Sequence, residues 1–167
     1  MEFTIRIAGR GDIAAVDALL ARAYPRLLKA DYPPSVLVTA LPIISRAQPD
    51  LVESGTYYVA EDEAGAVIGA GGWTARMPGR ARRAEPGRAN VRHVVTDDRA
   101  LRRGVARAIL SRAFEDAQAA GMTWMHCVST RTAARFYVAM GFSATGEVRV
   151  HLAPGIDFPA IEMRRDL

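Results

Sequence analysis

The chain has 167 residues, 50% of them hydrophobic and 24% charged, which suits one globular domain spanning 1–167 and excludes a disordered chain or two full-sized domains. Twenty-two basic residues face 18 acidic ones, and the net charge of +4 is carried by arginines spread along the chain, since Lys29 is the sole lysine; that spread argues against a nucleic-acid-binding tract. The single cysteine, Cys127, excludes an internal disulfide and a multi-cysteine zinc site; no apolar run reaches membrane-span length and no signal-peptide layout is present, so a cytoplasmic protein without metal or membrane partner is expected.

Phe3 to Ile7 alternates apolar and polar residues like a half-buried strand. Gly9, Gly11 and Asp12 then mark a turn, with Asp12 as the expected helix N-cap. Ile13, Val16, Leu19, Leu20 and Ala23 follow at helical spacing, and Pro25 is expected to interrupt or kink the helix. Pro33, Pro34 and Ser35 open a short second helix through Leu41, with Pro42 a disturbance. From Thr56 the period shortens. Tyr57–Glu61 and Ala66–Trp73 predict a hairpin around the acidic turn at 62–65, and Gly69, Gly71 and Gly72 mark a bulge or a close backbone approach. Residues 75–89 hold Arg76, Arg80, Arg82, Arg83 and Arg88 among prolines and glycines. They read as a mobile loop, with an acidic-ligand surface, a partner surface and a nucleic-acid patch as alternatives.

The stretch Val91–Leu110, VRHVVTDDRALRRGVARAIL, predicts a strand to Thr96, a polar turn and an amphipathic helix. The first N–H groups of such a helix lack intrahelical acceptors, and the helix dipole is positive there. With Gly104 and Ala106 leaving room, Arg102, Arg103 and Val105 outline an anion cradle; an ordinary strand-to-helix connection with solvated arginines is the other reading. The helix runs to Gly121, Met122–Val128 is a buried strand around an inert Cys127, and Ser129, Thr130 or Thr132 caps a short helix ended by Gly141. Thr145–Leu152 and Ala160–Arg164 are the last strands, joined by a loop holding Pro154, Gly155 and Pro159.

Two blocks in this order resemble the GNAT superfamily of N-acetyltransferases: Val91–Leu110, similar to the family's acetyl-CoA strand, pyrophosphate loop and helix, and STRTAARFYVAMGF (Ser129–Phe142), similar to its next motif. The resemblance covers most of the chain. It implies an α/β fold: a mixed, mostly antiparallel sheet with helices on both faces and a splayed central strand pair. It also implies an acetyl-CoA-dependent transfer to a primary amine of a small molecule or peptide, without a metal. Val94, Val95 and Thr96 would pair with the pantetheine arm as a further strand. Arg102, Arg103, Gly104, Val105, Ala106 and Arg107 would bind the pyrophosphate, and Thr130 and Thr132 complete the cofactor-binding set. The loop departs from the family's R/Q-x-x-G-x-G/A at Leu101, and Asp98, beside Asp97, replaces a frequent proline.

The resemblance assigns Tyr137 as the proton donor to the departing thiolate; packing against Phe136 is the alternative. His93 has a suitable pKa for a base, yet strand alternation sets it opposite Arg92 and Val94, as a core histidine. His126 shares that ambiguity. Asn90 and Arg92 are poor bases, and Glu53 and Glu61 are free to serve. A non-catalytic acyl-CoA-binding or partner-binding domain of the same fold is the competing class, and homodimer formation stays open.

Overall fold

The computed structural model describes residues 2–76 and 85–167, so Arg80, Arg82 and Arg83 of the arginine-rich stretch lie outside the described residues. Strand β1 (Phe3–Ile7) leads through a 3₁₀ turn (Arg10–Asp12) into helices α1 (Ile13–Leu28), α2 (Pro34–Ile44) and the single-turn α3 (Pro49–Val52). Strands β2 (Tyr57–Asp62), β3 (Val67–Thr74) and β4 (Arg88–Thr96) follow, then a 3₁₀ turn (Asp98–Ala100), α4 (Val105–Ala119), β5 (Trp124–Ser129), α5 (Ala134–Ala139), β6 (Ser143–Ala153) and β7 (Ile156–Asp166). One sheet of order β1-β2-β3-β4-β5-β7-β6 connects all seven strands. Every neighbouring pair is antiparallel except β4 and β5. The mixed, mostly antiparallel α/β sheet expected from the sequence is therefore observed.

Alternation along β2 builds two cores. Tyr57 and Val59 face α1 and α2, packing in a cluster with Val16, Leu20 and Leu37, whereas Tyr58 and Ala60 face α4, with Ile109, Leu110 and Phe114. Helix α4 lies close on β3 because Gly69 has no side chain. A Cβ there would sit 2.5 Å from Val105 Cγ1 and 3.2 Å from Ile109 Cδ1.

The structure corrects several local expectations. Helix α1 continues through Pro25 to Leu28. Its buried stripe of Leu20, Tyr24 and Leu28 spans the proline, and Arg22 and Arg26, one turn apart around it, bind Asp97 and Asp98 at 2.6 and 2.9 Å. The buried stripe and these ion pairs hold the helix in place on both sides of the backbone hydrogen bond that Pro25 removes. Asp12 stands at the N-cap position of α1 as expected, but its carboxylate makes no capping bond to the helix; it accepts the Gly9 N–H at 2.8 Å and pairs with Arg6. Pro159 lies inside β7 rather than in a loop, and β6 and β7 form one long hairpin. It sits beyond Ser129–Ile161, the last pairing of β7 with β5. Its carbonyl accepts the Tyr32 hydroxyl at 2.7 Å, so the missing N–H, which lies on the same side of the strand, removes no ladder bond.

Replacing Gly69 with valine is expected to push α4 off the sheet. Overpacking of this kind destabilises by about 1–3 kcal/mol, a fall of roughly 3–10 °C in Tm that thermal unfolding by circular dichroism would detect.

Candidate active site

Strands β4 and β5 pair over three residues, Arg88–Trp124, Ala89–Met125 and Asn90–His126, and then part. The gap opens into a groove of about 540 Å³ between Val94, Val95 and Thr96 on one side and Val128, Ser129 and Thr130 on the other. The N–H of Asp97 donates to Ile68 O on β3. Antiparallel alternation then turns the backbone of Val95 toward β3, and that of Val94 and Thr96 toward the groove. Among the described residues those outward amides have no strand partner, and they form an edge that an extended, amide-bearing ligand can join.

The groove gathers the residues expected from the sequence: His93, Val94, Val95, Thr96, Arg102, Gly104, Val105, Ala106, Arg107, Thr130, Thr132 and Tyr137 all line it, while Arg103 does not. It also takes in Tyr24, Leu27 and Leu28 of α1. Their spacing from Leu20 continues the helical stripe past Pro25, which was the available signal. Where the loop leads into α4, Arg102 (φ 60°) and Gly104 (φ 81°) are both left-handed. Gly104 suits that conformation; Arg102 is strained in it, as residues at ligand clamps often are. The first intrahelical bond of α4 runs from Ala108 N–H to Gly104 O, so the N–H groups of Val105, Ala106 and Arg107 are free for an anion. Asp97 and Asp98 do not line the groove. Asp97 pairs with Arg22 and Arg99, and Asp98 with Arg26.

A bulge in β4 overturns the alternation expected for His93. The register with β3 slips between Ala70 and Gly72, and His93 adopts φ 49°. Arg92 and His93 consequently reach the same segment: Arg92 Nη2 donates to Gln48 Oε1 at 2.9 Å, and His93 Nε2 lies 3.0 Å from Ile44 O. A carbonyl accepts only, so Nε2 carries the proton. Burial, the largest cause, holds the imidazole pKa below its ordinary value, so the ring is neutral at pH 7 with a lone pair on Nδ1. Among the described residues Nδ1 has no hydrogen-bond partner. His126 differs. Its Nδ1 accepts from Arg88 Nη2 at 2.9 Å and its Nε2 lies 3.2 Å from Glu162 Oε2, so both nitrogens are occupied. Glu61 pairs with Arg6 and Glu53 lies 4.0 Å from Arg10; neither lines the groove.

Tyr137 is 5% exposed and lies in the gap. It packs edge-on against Phe136 and Phe142, so packing and access to the groove coexist. Burial, the largest cause, pushes its phenol well above the ordinary tyrosine value, and its hydroxyl neighbours the Cys127 thiol, itself pushed up to about 12 by burial.

A family model of the acetyltransferase (GNAT) domain matches residues 53–144, more than half of the chain. The chain belongs to the GNAT acetyltransferase family. No curated protein matches it in sequence. A GCN5-related N-acetyltransferase from Rhodopseudomonas palustris has a TM-score of 0.80 at 16% identity, over 100% of this chain and 97% of that one. The PaiA N-acetyltransferase of Thermoplasma acidophilum, solved in complex with coenzyme A, has a TM-score of 0.74 at 11% identity over the whole of both chains. A GCN5-related N-acetyltransferase from Kribbella flavida has a TM-score of 0.66 at 20% identity, over 99% of this chain and 98% of that one. These likenesses are of fold. As a GNAT acetyltransferase, the protein draws its acyl group from an acyl-CoA.

The ion pairs behind the GNAT loop have a pH signature. Hydrogen bonds from Arg99, the largest cause, hold the Asp97 carboxyl well below the ordinary carboxylate range. Its stabilisation is therefore complete above about pH 5 and is lost as pH falls below the unfolded value of about 3.9. Asp97→Asn is expected to melt below the wild type at pH 7, with the gap narrowing as pH falls below about 4; a constant gap would contradict the assignment.

Proposed function

We propose that this GNAT enzyme is an acetyl-CoA-dependent N-acetyltransferase that moves acetyl directly onto a primary amine, with His93 as general base and Tyr137 as general acid. The observation that carries this reading is the parting of β4 and β5, which leaves the outward amides of Val94 and Thr96 between the left-handed loop and Tyr137. The fit to the cofactor is chemical at each end. Free N–H groups at Val105 to Arg107 suit a pyrophosphate, the β4 edge with Val95 behind it suits the two amides of pantetheine, and the sides at Thr130 and Thr132 close the slot. Thr132 Oγ1 donates to Asp31 Oδ2 at 2.7 Å and Thr130 Oγ1 accepts from Ala133 N–H at 3.2 Å; both side chains are held, and their contribution is shape.

Acetyl-CoA supplies the thioester whose acyl carbon the amine attacks. The outward N–H of Val94 is the donor for the charge that develops on the carbonyl oxygen. His93 Nδ1 receives the proton that the amine sheds, because depressed basicity keeps the ring neutral and its lone pair available at neutral pH. Tyr137 retains its proton throughout the physiological range and delivers it to the sulfur. Cys127 stays a protonated thiol and does not compete as a nucleophile.

Heat on titrating acetyl-CoA into the protein, together with CoA release in the presence of amines, tests the assignment; no binding at millimolar acetyl-CoA would overturn it. Tyr137→Phe is expected to lower kcat by roughly 10²–10⁴-fold, the range for loss of a general acid, with acetyl-CoA affinity unchanged. His93→Ala should reduce kcat similarly. In the wild type, the acidic limb of kcat should lie below the ordinary histidine pKa of about 6.5, and a limb above it would remove His93 as the base.

A further inference from the structure

Among the described residues, one buried cation has no anion partner. Arg92, 9% exposed, is the one buried arginine among the described residues. Other arginines meet carboxylates: Arg6 meets Asp12 and Glu61, Arg22 meets Asp97, and Arg26 meets Asp98. Arg92 meets two neutral oxygens, Thr74 Oγ1 at 3.1 Å and Gln48 Oε1 at 2.9 Å. Residues 77–84, Met-Pro-Gly-Arg-Ala-Arg-Arg-Ala, contain no carboxylate that could supply one. Buried charges are ordinarily paired, and a guanidinium carries five N–H donors in a fork that matches a carboxylate or phosphate edge. Two neutral acceptors leave most of that fork unused.

Its position gives this neutral partner set a meaning. The β4 bulge turns Arg92 to the same side as His93, and both side chains reach the segment between Ile44 and Gln48. The guanidinium thus sits beside the proposed base, next to the groove but outside its lining. Arg88, nearby in β4, is already committed to Asn90, His126 and Glu85. Gln48 is exposed, and among the described residues its carboxamide bonds to Arg92 alone, so an incoming oxyanion can displace it.

We propose that Arg92 is a specificity-determining residue that binds an oxyanion group, a carboxylate or a phosphate, on the acceptor. The enzyme then acetylates small amines bearing such a group in preference to neutral ones. This rests on the transferase reading above and names the acceptor class for it.

Matched acceptors test it: an amino acid against its amide, and phosphoethanolamine against ethanolamine, each followed by CoA release. The anionic member of at least one pair is expected to be favoured by roughly tenfold to a hundredfold in kcat/KM, as a hydrogen-bonded charge contributes. The pair with the larger ratio tells carboxylate from phosphate. Arg92→Gln should bring the ratio near unity with the KM for acetyl-CoA unchanged, and Arg92→Lys should keep part of it. Gln48→Glu supplies the missing carboxylate from the chain itself; it is expected to melt above the wild type and also to lose the preference. A wild-type ratio near unity in both pairs, with neutral amines turned over, overturns the inference and leaves the transferase standing. A stabilised Gln48→Glu protein that keeps the full preference assigns Arg92 a purely structural role. Turnover of no amine in either class overturns both readings.

Discussion

The whole groove depends on β4 and β5 ceasing to pair after Asn90 and His126. Each strand stays anchored on its other side, β4 to β3 through Val95–Ala70 and β5 to β7 through Ser129–Ile161, so the two diverge without either fraying. Left open inside a sheet, facing strand edges would present unpaired N–H and C=O groups. The bulge at His93 redirects β4, and Tyr137 lines the groove that opens between the two strands. The unpaired edge is thereby left accessible from the groove, where an extended ligand with amides could pair with it.

Charge is managed as carefully as shape. The loop before α4 carries Asp97 and Asp98 where a diphosphate is expected, and carboxylates left there would repel it. Arg22 and Arg26 of α1 draw both away. The same two ion pairs join α1 to the 3₁₀ turn after β4, so one set of contacts positions a helix, fixes the loop and keeps both carboxylates out of the groove lining. Against that background, a buried guanidinium with only neutral partners stands out.

Much of this was legible in the residues. Alternation in Tyr57–Glu61, the turn at 62–65 and the helical spacing after Val105 depend on local chemistry, and the elements lie where that chemistry sets them. The paired blocks around Gly104 and Phe136–Tyr137 located the groove. What stayed hidden was decided by contacts distant in sequence. A one-residue bulge reverses every later side chain in a strand, and nothing in RHVV announces it, so His93 appeared to face away from Arg92 when the two share a side. Pro25 and Pro159 looked like breaks because a local reading counts the lost N–H; it does not see Asp97 and Asp98 waiting for α1, or the end of β5 that leaves β7 with a free edge.

Tyr32, in the link between α1 and α2, carries one further consequence. Its hydroxyl donates to Pro159 O and accepts from Arg131 N–H at 2.8 Å, and its ring stacks on Phe158. One phenol thus ties together segments 99 and 127 residues apart, next to the Thr130–Thr132 side of the groove. Closures over such spans carry loop entropy and raise contact order. That side of the groove is therefore held by contacts between distant parts of the chain. A molecule that binds the closed groove and not the open chain favours the folded state by mass action, with a stabilisation that grows as the logarithm of its concentration.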